Sequence, residues 1–126
     1  ALSLQIPLAQ SDLPAVQADK SGLTAVIQNL LENAVKYSPE GAPIHLAADR
    51  TNGRLRLRVA DQGIGIPDAE KTAVFEKFYR VGNEDTRRAT GTGLGLYIVK
   101  QVVQAHGGTI SVVDNKPQGT VFVVEI

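Results

Sequence analysis

Cysteine is absent from the chain. Disulfides and thiolate metal sites are thereby excluded, and a reducing compartment is compatible with the sequence. Methionine is absent too; the chain has lost its initiator or was cut from something longer, and the second is the expectation. No apolar run approaches the roughly 20 residues of a membrane-spanning helix, and no signal peptide is visible. Net charge is lacking as well, since 13 basic side chains balance 13 acidic ones. That balance removes the electrostatic case for nucleic acid or for direct contact with an anionic membrane. Local basic residues can still bind a small anion.

What is there suits one domain. The 126 residues are 43% hydrophobic, enough for a single buried core, and 21% charged, enough for a solvated surface. Neither an internal repeat nor a low-complexity segment interrupts them. Leu2 to Ile6 alternates like a strand, and Pro14 to Ala18 reads as a second short one. Asp19 is an N-cap candidate for a long helix. Leu23, Val26, Ile27, Leu30, Leu31, Ala34 and Val35 follow the spacing of one buried helical face, and Ser38-Pro39-Glu40-Gly41 ends it. Two alternating segments flank Asn52-Gly53, a hairpin signal. Pro67 and Asp68 open a short helix toward Phe75. The segment from Gly82 to Thr92 is polar and reads as a mobile loop. A second long helix runs from about Leu94 to His106, stopped by Gly107-Gly108. Thr109 to Val113 and Thr120 to Ile126 form a closing hairpin. Hairpins without regular crossovers suggest an α/β two-layer sandwich: a mixed, largely antiparallel sheet with helices on one face.

Four segments carry chemistry. In NLLENAVKYS, Asn29, Asn33, Lys36 and Tyr37 form a polar stripe beside the apolar face. Asparagine in mid-helix costs about 0.5 kcal/mol against alanine, so two of them one turn apart ask for a reason. An amide oxygen suits Mg²⁺, which takes one or two protein ligands besides phosphate and water, and a lysine one turn on suits phosphate. The bland alternative is a solvated helix edge. In DQGIGI, Gly63 and Gly65 permit a tight turn. Asp61 repels phosphate but can accept from an amine such as that of adenine, with Ile64 and Ile66 against the ring; the alternative is a loop with a local cap. In FEKFYR, Phe75 and Phe78 can anchor the polar loop while Arg80 reaches a phosphate; the alternative is a core pair on a short helix, and only Arg80 separates the two. In GTGLGL, glycines before a helix offer N–H groups and partial positive charge to a phosphate; the alternative is a hinge. The segment fits neither a Walker A loop nor the Rossmann fingerprint.

In series, NLLENAVKYS, DQGIGI, FEKFYR and GTGLGLYIVK resemble the N, G1, F and G2 boxes of the sensor histidine kinase catalytic domain. That arrangement belongs to the Bergerat-type ATP-binding fold, shared with Hsp90-type chaperones, type II topoisomerases and mismatch-repair ATPases. The resemblance spans residues 1–126 as one catalytic domain, with a lid at about 82–95. It implies a protein-histidine kinase that binds ATP and Mg²⁺ and passes the γ-phosphoryl group to a histidine on a separate dimerising segment. That segment is expected to lie outside this chain, since His45 and His106 lack its context. A downstream response regulator and a cytoplasmic setting, within a parent that membranes can anchor, are implied with it.

By the same resemblance Asn33 would hold the metal, and Asn33, Lys36 and Arg80 would serve catalysis. Asn29 and Lys36 would lie near the phosphates, with Tyr37 near the adenine. Asp61 would take the adenine amine, Gly63 and Gly65 would let the backbone pass the base, and Ile66 would lie beside it. Tyr79 and Arg80 would meet nucleotide. Gly91, Gly93 and Gly95 would hinge the lid, whose Arg87 and Arg88 would approach phosphate. Thr92, Leu94 and Leu96 would contact nucleotide, and Thr120 would stand behind the adenine. Glu32 is read as surface. Two further readings compete. An autonomous ATP hydrolase of this fold resembles its relatives in carrying a glutamate base one turn before the metal asparagine, where this chain has Asn29. An ATP-sensing module would bind without turnover.

Overall fold

The computed structural model describes residues 2–5, 20–77, 79 and 94–126. In chain order the elements are β1 (Leu2–Gln5), α1 (Lys20–Tyr37), β2 (Ile44–Thr51), β3 (Arg54–Ala60), two short 3-10 turns (Asp68–Glu70 and Ala73–Phe75), α2 (Gly95–Ala105), β4 (Thr109–Asp114) and β5 (Thr120–Glu125). The expected strand at Pro14 to Ala18, the cap at Asp19, Phe78 and most of the lid lie outside the described residues.

The five strands form one sheet in the order β1-β2-β3-β5-β4. β1 runs parallel to β2, and the other three pairings are antiparallel. The mixed, largely antiparallel sheet read from the sequence is the one observed. Asn52 and Gly53 turn β2 into β3 with φ of 52° and 78°, the pair of positive values that a two-residue hairpin of primed type demands. Opposite one another in that ladder, Arg56 and Asp49 form a double hydrogen bond of 3.0 and 3.1 Å, which holds Asp49 below the ordinary carboxylate range.

Alternation decides which face of the sheet is covered. On β3, Leu55, Leu57 and Val59 are buried, while Arg54 before them and Arg58 between the last two are exposed. Phe122 and Val124 of β5 share the buried face, and α1 and α2 lie together over it with Val26, Leu30, Ala34, Val99 and Val103 turned inward. Phe75 reaches the same core and meets Phe122 edge to face, ring centroids 6.2 Å apart. Val35 departs from the buried face that the apolar spacing of α1 predicts: it is 64% exposed. It follows Ala34 by one residue, about 100° around the helix, and so leaves the stripe.

The single short helix expected after Pro67 is instead two 3-10 turns separated at Lys71 and Thr72. The C-terminal stop of α2 is as expected. The N–H of Gly107 donates to Gln104 O and that of Gly108 to Val103 O, at 3.0 and 2.9 Å, with Gly107 at φ 72°. This satisfies carbonyls that the helix itself leaves unpaired. No described helix is long and apolar enough to cross a membrane.

Candidate functional site

The end of β3, the start of β5 and the end of α1 meet around Asp61. Asp61 directly follows β3, and Thr120 opens β5, its neighbour in the sheet. The N–H of Asp61 donates to Thr120 O at 2.9 Å. In return the N–H of Thr120 donates to Asp61 Oδ1 at 3.2 Å, and that of Gly63 donates to the same oxygen at 2.9 Å. Asp61 is 3% exposed and Thr120 4%. Burial raises the Asp61 carboxyl above the ordinary carboxylate range, and the two N–H groups pull against that rise. Both donors fall on Oδ1, so among the described residues Oδ2 has no partner. A fixed, nearly buried carboxyl with one oxygen left over is suited to accept a ligand's amine.

The loop that follows is pressed onto α1. A Cβ on Gly63 would lie 2.4 Å from the backbone oxygen of Tyr37, the last residue of the helix. No side chain fits there. Gly65 takes φ 78°. Ile66 packs against the core, while Ile64 stays 45% exposed. The Nζ of Lys71 donates to Ile66 O at 3.1 Å, binds Asp114 Oδ1 at 2.9 Å and also meets Asp68. It ties the end of the loop to the end of β4. A cleft of about 370 Å³ runs between Ile64 to Pro67 and the turn at 114–119; no residue of α1 lines it.

The amide stripe of α1 divides into two roles. The Nδ2 of Asn29 donates to Ala25 O at 2.7 Å, one turn back, and its Oδ1 lies 3.2 Å from where a Cβ on Gly95 would stand. Asn29 therefore joins α1 to the first residue of α2. The side chain of Asn33, half-buried, makes no hydrogen bond among the described residues. An amide on a helix with its oxygen uncommitted fits one of the one or two protein ligands that Mg²⁺ takes. Lys36 is exposed in the last turn, where a cation also suits the helix dipole. Glu32 is exposed and takes a hydrogen bond from Gln28.

The remaining residues are distributed. Tyr79 packs on the core and its hydroxyl donates to Glu70. Leu94 immediately precedes α2, and its carbonyl accepts the N–H of Ile98 at 2.9 Å. Leu96 packs on the core. Lys77 lies 5.8 Å from the ring centroid of Tyr97, linking the F-box segment to α2. Arg80, Arg87, Arg88, Gly91, Thr92 and Gly93 lie outside the described residues. His45 sits in β2, and His106 follows α2 with Nδ1 2.8 Å from Val102 O.

Sequence reasoning missed Asn115 and Gln118. They lie in the turn between β4 and β5 and reach the loop after Asp61 with their side-chain amides. Their only local signal is turn composition.

The chain is similar to known proteins along most of its length. The family described as histidine kinase-, DNA gyrase B-, and HSP90-like ATPase matches residues 18–126. The alginate biosynthesis sensor protein KinB of Pseudomonas aeruginosa is 43% identical over 121 residues, 96% of this chain and 20% of KinB. Among solved structures, the mycobacterial sensor histidine kinase MprB superposes with a TM-score of 0.82 at 35% identity, covering 99% of this chain and 79% of that one. Full-length ShkA, solved in complex with AMPPNP, gives a TM-score of 0.81 at 32% identity, covering 98% of this chain and 24% of ShkA. The chain thus spans about a fifth of the length of KinB.

Proposed function

Since the chain belongs to the histidine kinase-, DNA gyrase B-, and HSP90-like ATPase family, we propose that it is the ATP-binding catalytic domain of a two-component sensor histidine kinase. It would pass the γ-phosphoryl group of ATP to a histidine on a separate dimerising segment of its parent, in the cytoplasm, for onward transfer to a response regulator. The observation that carries this reading is the Asp61 carboxyl, anchored through Oδ1 by Gly63 and Thr120 and 3% exposed. It takes the adenine amine and rejects the carbonyl that guanine would present there. The complex of ShkA with an ATP analogue supports it.

From that anchor the triphosphate extends along α1 toward Asn33 and Lys36. Asn33 would hold Mg²⁺, and Lys36 would offset phosphate charge; Arg80 joins them in the reading from the sequence. The metal held there would supply positive charge to the phosphates. The nucleophile is a neutral imidazole nitrogen, whose lone pair is available near pH 7. It forms the N–P bond as the bond from the γ-phosphorus to the ADP oxygen breaks, giving phosphohistidine and ADP. Catalysis is then positioning and charge stabilisation.

Autonomous hydrolysis is disfavoured by Asn29. The position where hydrolases of this fold carry a glutamate base holds an amide, which donates to Ala25 O and lies close beside Gly95. Incubation with γ-labelled ATP separates the readings. Label should appear on the histidine-bearing segment when it is supplied, slowly and with concentration dependence, and not on this chain alone. Stable label on this chain alone, lost when His45 or His106 is replaced, overturns the proposal. Binding with no transfer to any cognate segment favours the ATP-sensing module.

A further inference from the structure

The loop from Asp61 to Ile66 is bounded by α1 and, from the sheet side, by the turn that joins β4 to β5. Asn115 in that turn uses both ends of its amide. Its Oδ1 accepts the N–H of Lys116 at 2.9 Å, and its Nδ2 donates to the backbone oxygen of Asp61 at 2.7 Å. Three residues on, Gln118 Nε2 donates to the backbone oxygen of Gly63 at 2.9 Å. The turn closes on itself through the N–H of Asn115 to Gly119 O at 3.0 Å. At Gly119, with φ 112°, a Cβ would stand 2.0 Å from Asp61 O. Turn and loop are therefore in backbone contact, and the two amides fix the carbonyls on either side of Gln62.

Those two bonds hold the 61–62 and 63–64 peptides, which bracket the one peptide between them, that of Gln62 and Gly63. The N–H of Gly63 belongs to that middle peptide and reaches Asp61 Oδ1 only while it keeps its orientation. Rotate it and one of the two anchors of the carboxyl is lost, although the carboxyl itself is untouched. Neither Asn115 nor Gln118 belongs to the motif segments, and each acts on loop backbone.

We propose that Asn115 and Gln118 are positioning residues of the nucleotide site. They set the rotamer of Asp61 through the loop backbone, and with it the preference for a base that carries an amine. The proposal rests on the reading of Asp61 as the adenine contact. A general scaffold role would weaken every nucleotide alike. A role exerted through Asp61 weakens only nucleotides whose base donates to it.

The test uses the 126-residue chain with ATP and with inosine triphosphate, which has a carbonyl in place of the amine. Asn115→Asp keeps the acceptor toward Lys116 and deletes the donor toward Asp61. Gln118→Ala removes the second donor at an exposed position and serves where the first variant folds poorly. Folding of each is checked by thermal melting. The Kd for ATP should rise about five- to tenfold, the effect of one net hydrogen bond, while that for inosine triphosphate stays within about twofold. In an Asp61→Asn background the same substitutions should have no further effect on ATP. Equal losses for both nucleotides, or no loss in a folded variant, overturn the positioning role. Asp61→Asn alone with unchanged ATP affinity overturns instead the adenine reading on which it stands.

Discussion

Gly63 faces the backbone carbonyl of Tyr37 so closely that a Cβ would stand 2.4 Å from its oxygen. That oxygen belongs to the end of α1 and cannot swing aside as a side chain would. Gly63→Ala therefore forces loop and helix apart, at a cost of about 1–3 kcal/mol or more, as overpacking generally does. Gly53→Ala offers a contrast. It has open space and only an unfavourable φ of 78°, worth about 1–2 kcal/mol. Thermal melts should rank Gly63→Ala below Gly53→Ala, and nucleotide binding should fall only in the former. A Gly63→Ala protein that melts like the parent would show that the loop does not lie against the helix.

Asp61 should bind nucleotide at the expense of stability. Burial raises its carboxyl above the ordinary carboxylate range in the folded chain. Between the ordinary pKa and the folded one, the native state holds more protons than the unfolded state. Stability therefore falls as pH rises through that window, and the cost persists at neutral pH. Asp61→Asn carries no charge, and its Oδ1 can still accept from Gly63 and Thr120. Without nucleotide this variant should melt no lower than the parent at pH 7, with the difference shrinking toward acid pH. Its ATP affinity should fall by about 1–3 kcal/mol, roughly five- to 150-fold. A large loss of melting temperature at neutral pH would make the carboxylate a structural group.

Asn33→Ala replaces a poor mid-helix residue with the best one, a gain of about 0.5 kcal/mol in helix propensity. The fold should not suffer. Calorimetric titration of ATP with magnesium should nevertheless show weaker binding, while adenosine binds as before. Retained magnesium dependence in this variant would remove Asn33 as the metal ligand.

Leu30 and Val35 lie on the same helix at 1% and 64% exposure. Leu30→Ala should cost about 2–5 kcal/mol, whereas Val35→Ala should fall within about 0.5 kcal/mol of neutral. Chemical denaturation measures both. Comparable losses would put Val35 in the core after all.

Much of the fold was legible because it is local. The apolar spacing from Leu23 to Ala34, the Asn52-Gly53 pair and the double glycine after α2 each act within a few residues. Val35 shows the limit of periodicity, which marks a stripe but not its width against a particular neighbour. The order of the four motifs was legible in the same way. The division of labour within them was not. Asn29 and Asn33 look alike in sequence, and only the nearness of Gly95 commits the first to helix packing. The hydroxyl of Tyr79 on Glu70 and the contact of Asn115 with Asp61 are equally invisible. The latter joins residues 54 positions apart, and no pattern of composition reports a polar contact at that distance.

The order of the strands has a consequence for how the molecule is made. β5 is the last strand in chain order, yet it lies between β3 and β4. During synthesis, residues 120–125 leave the ribosome after every other described element. Until then β4 has no strand to pair with, and β3 presents an open edge, the kind of edge that recruits other chains. Asp61 also waits for Thr120, so its carboxyl gains the second of its two anchors only in the final step. A nascent chain stalled or cut before that point would hold most of the domain's residues and only the Gly63 anchor to orient Asp61.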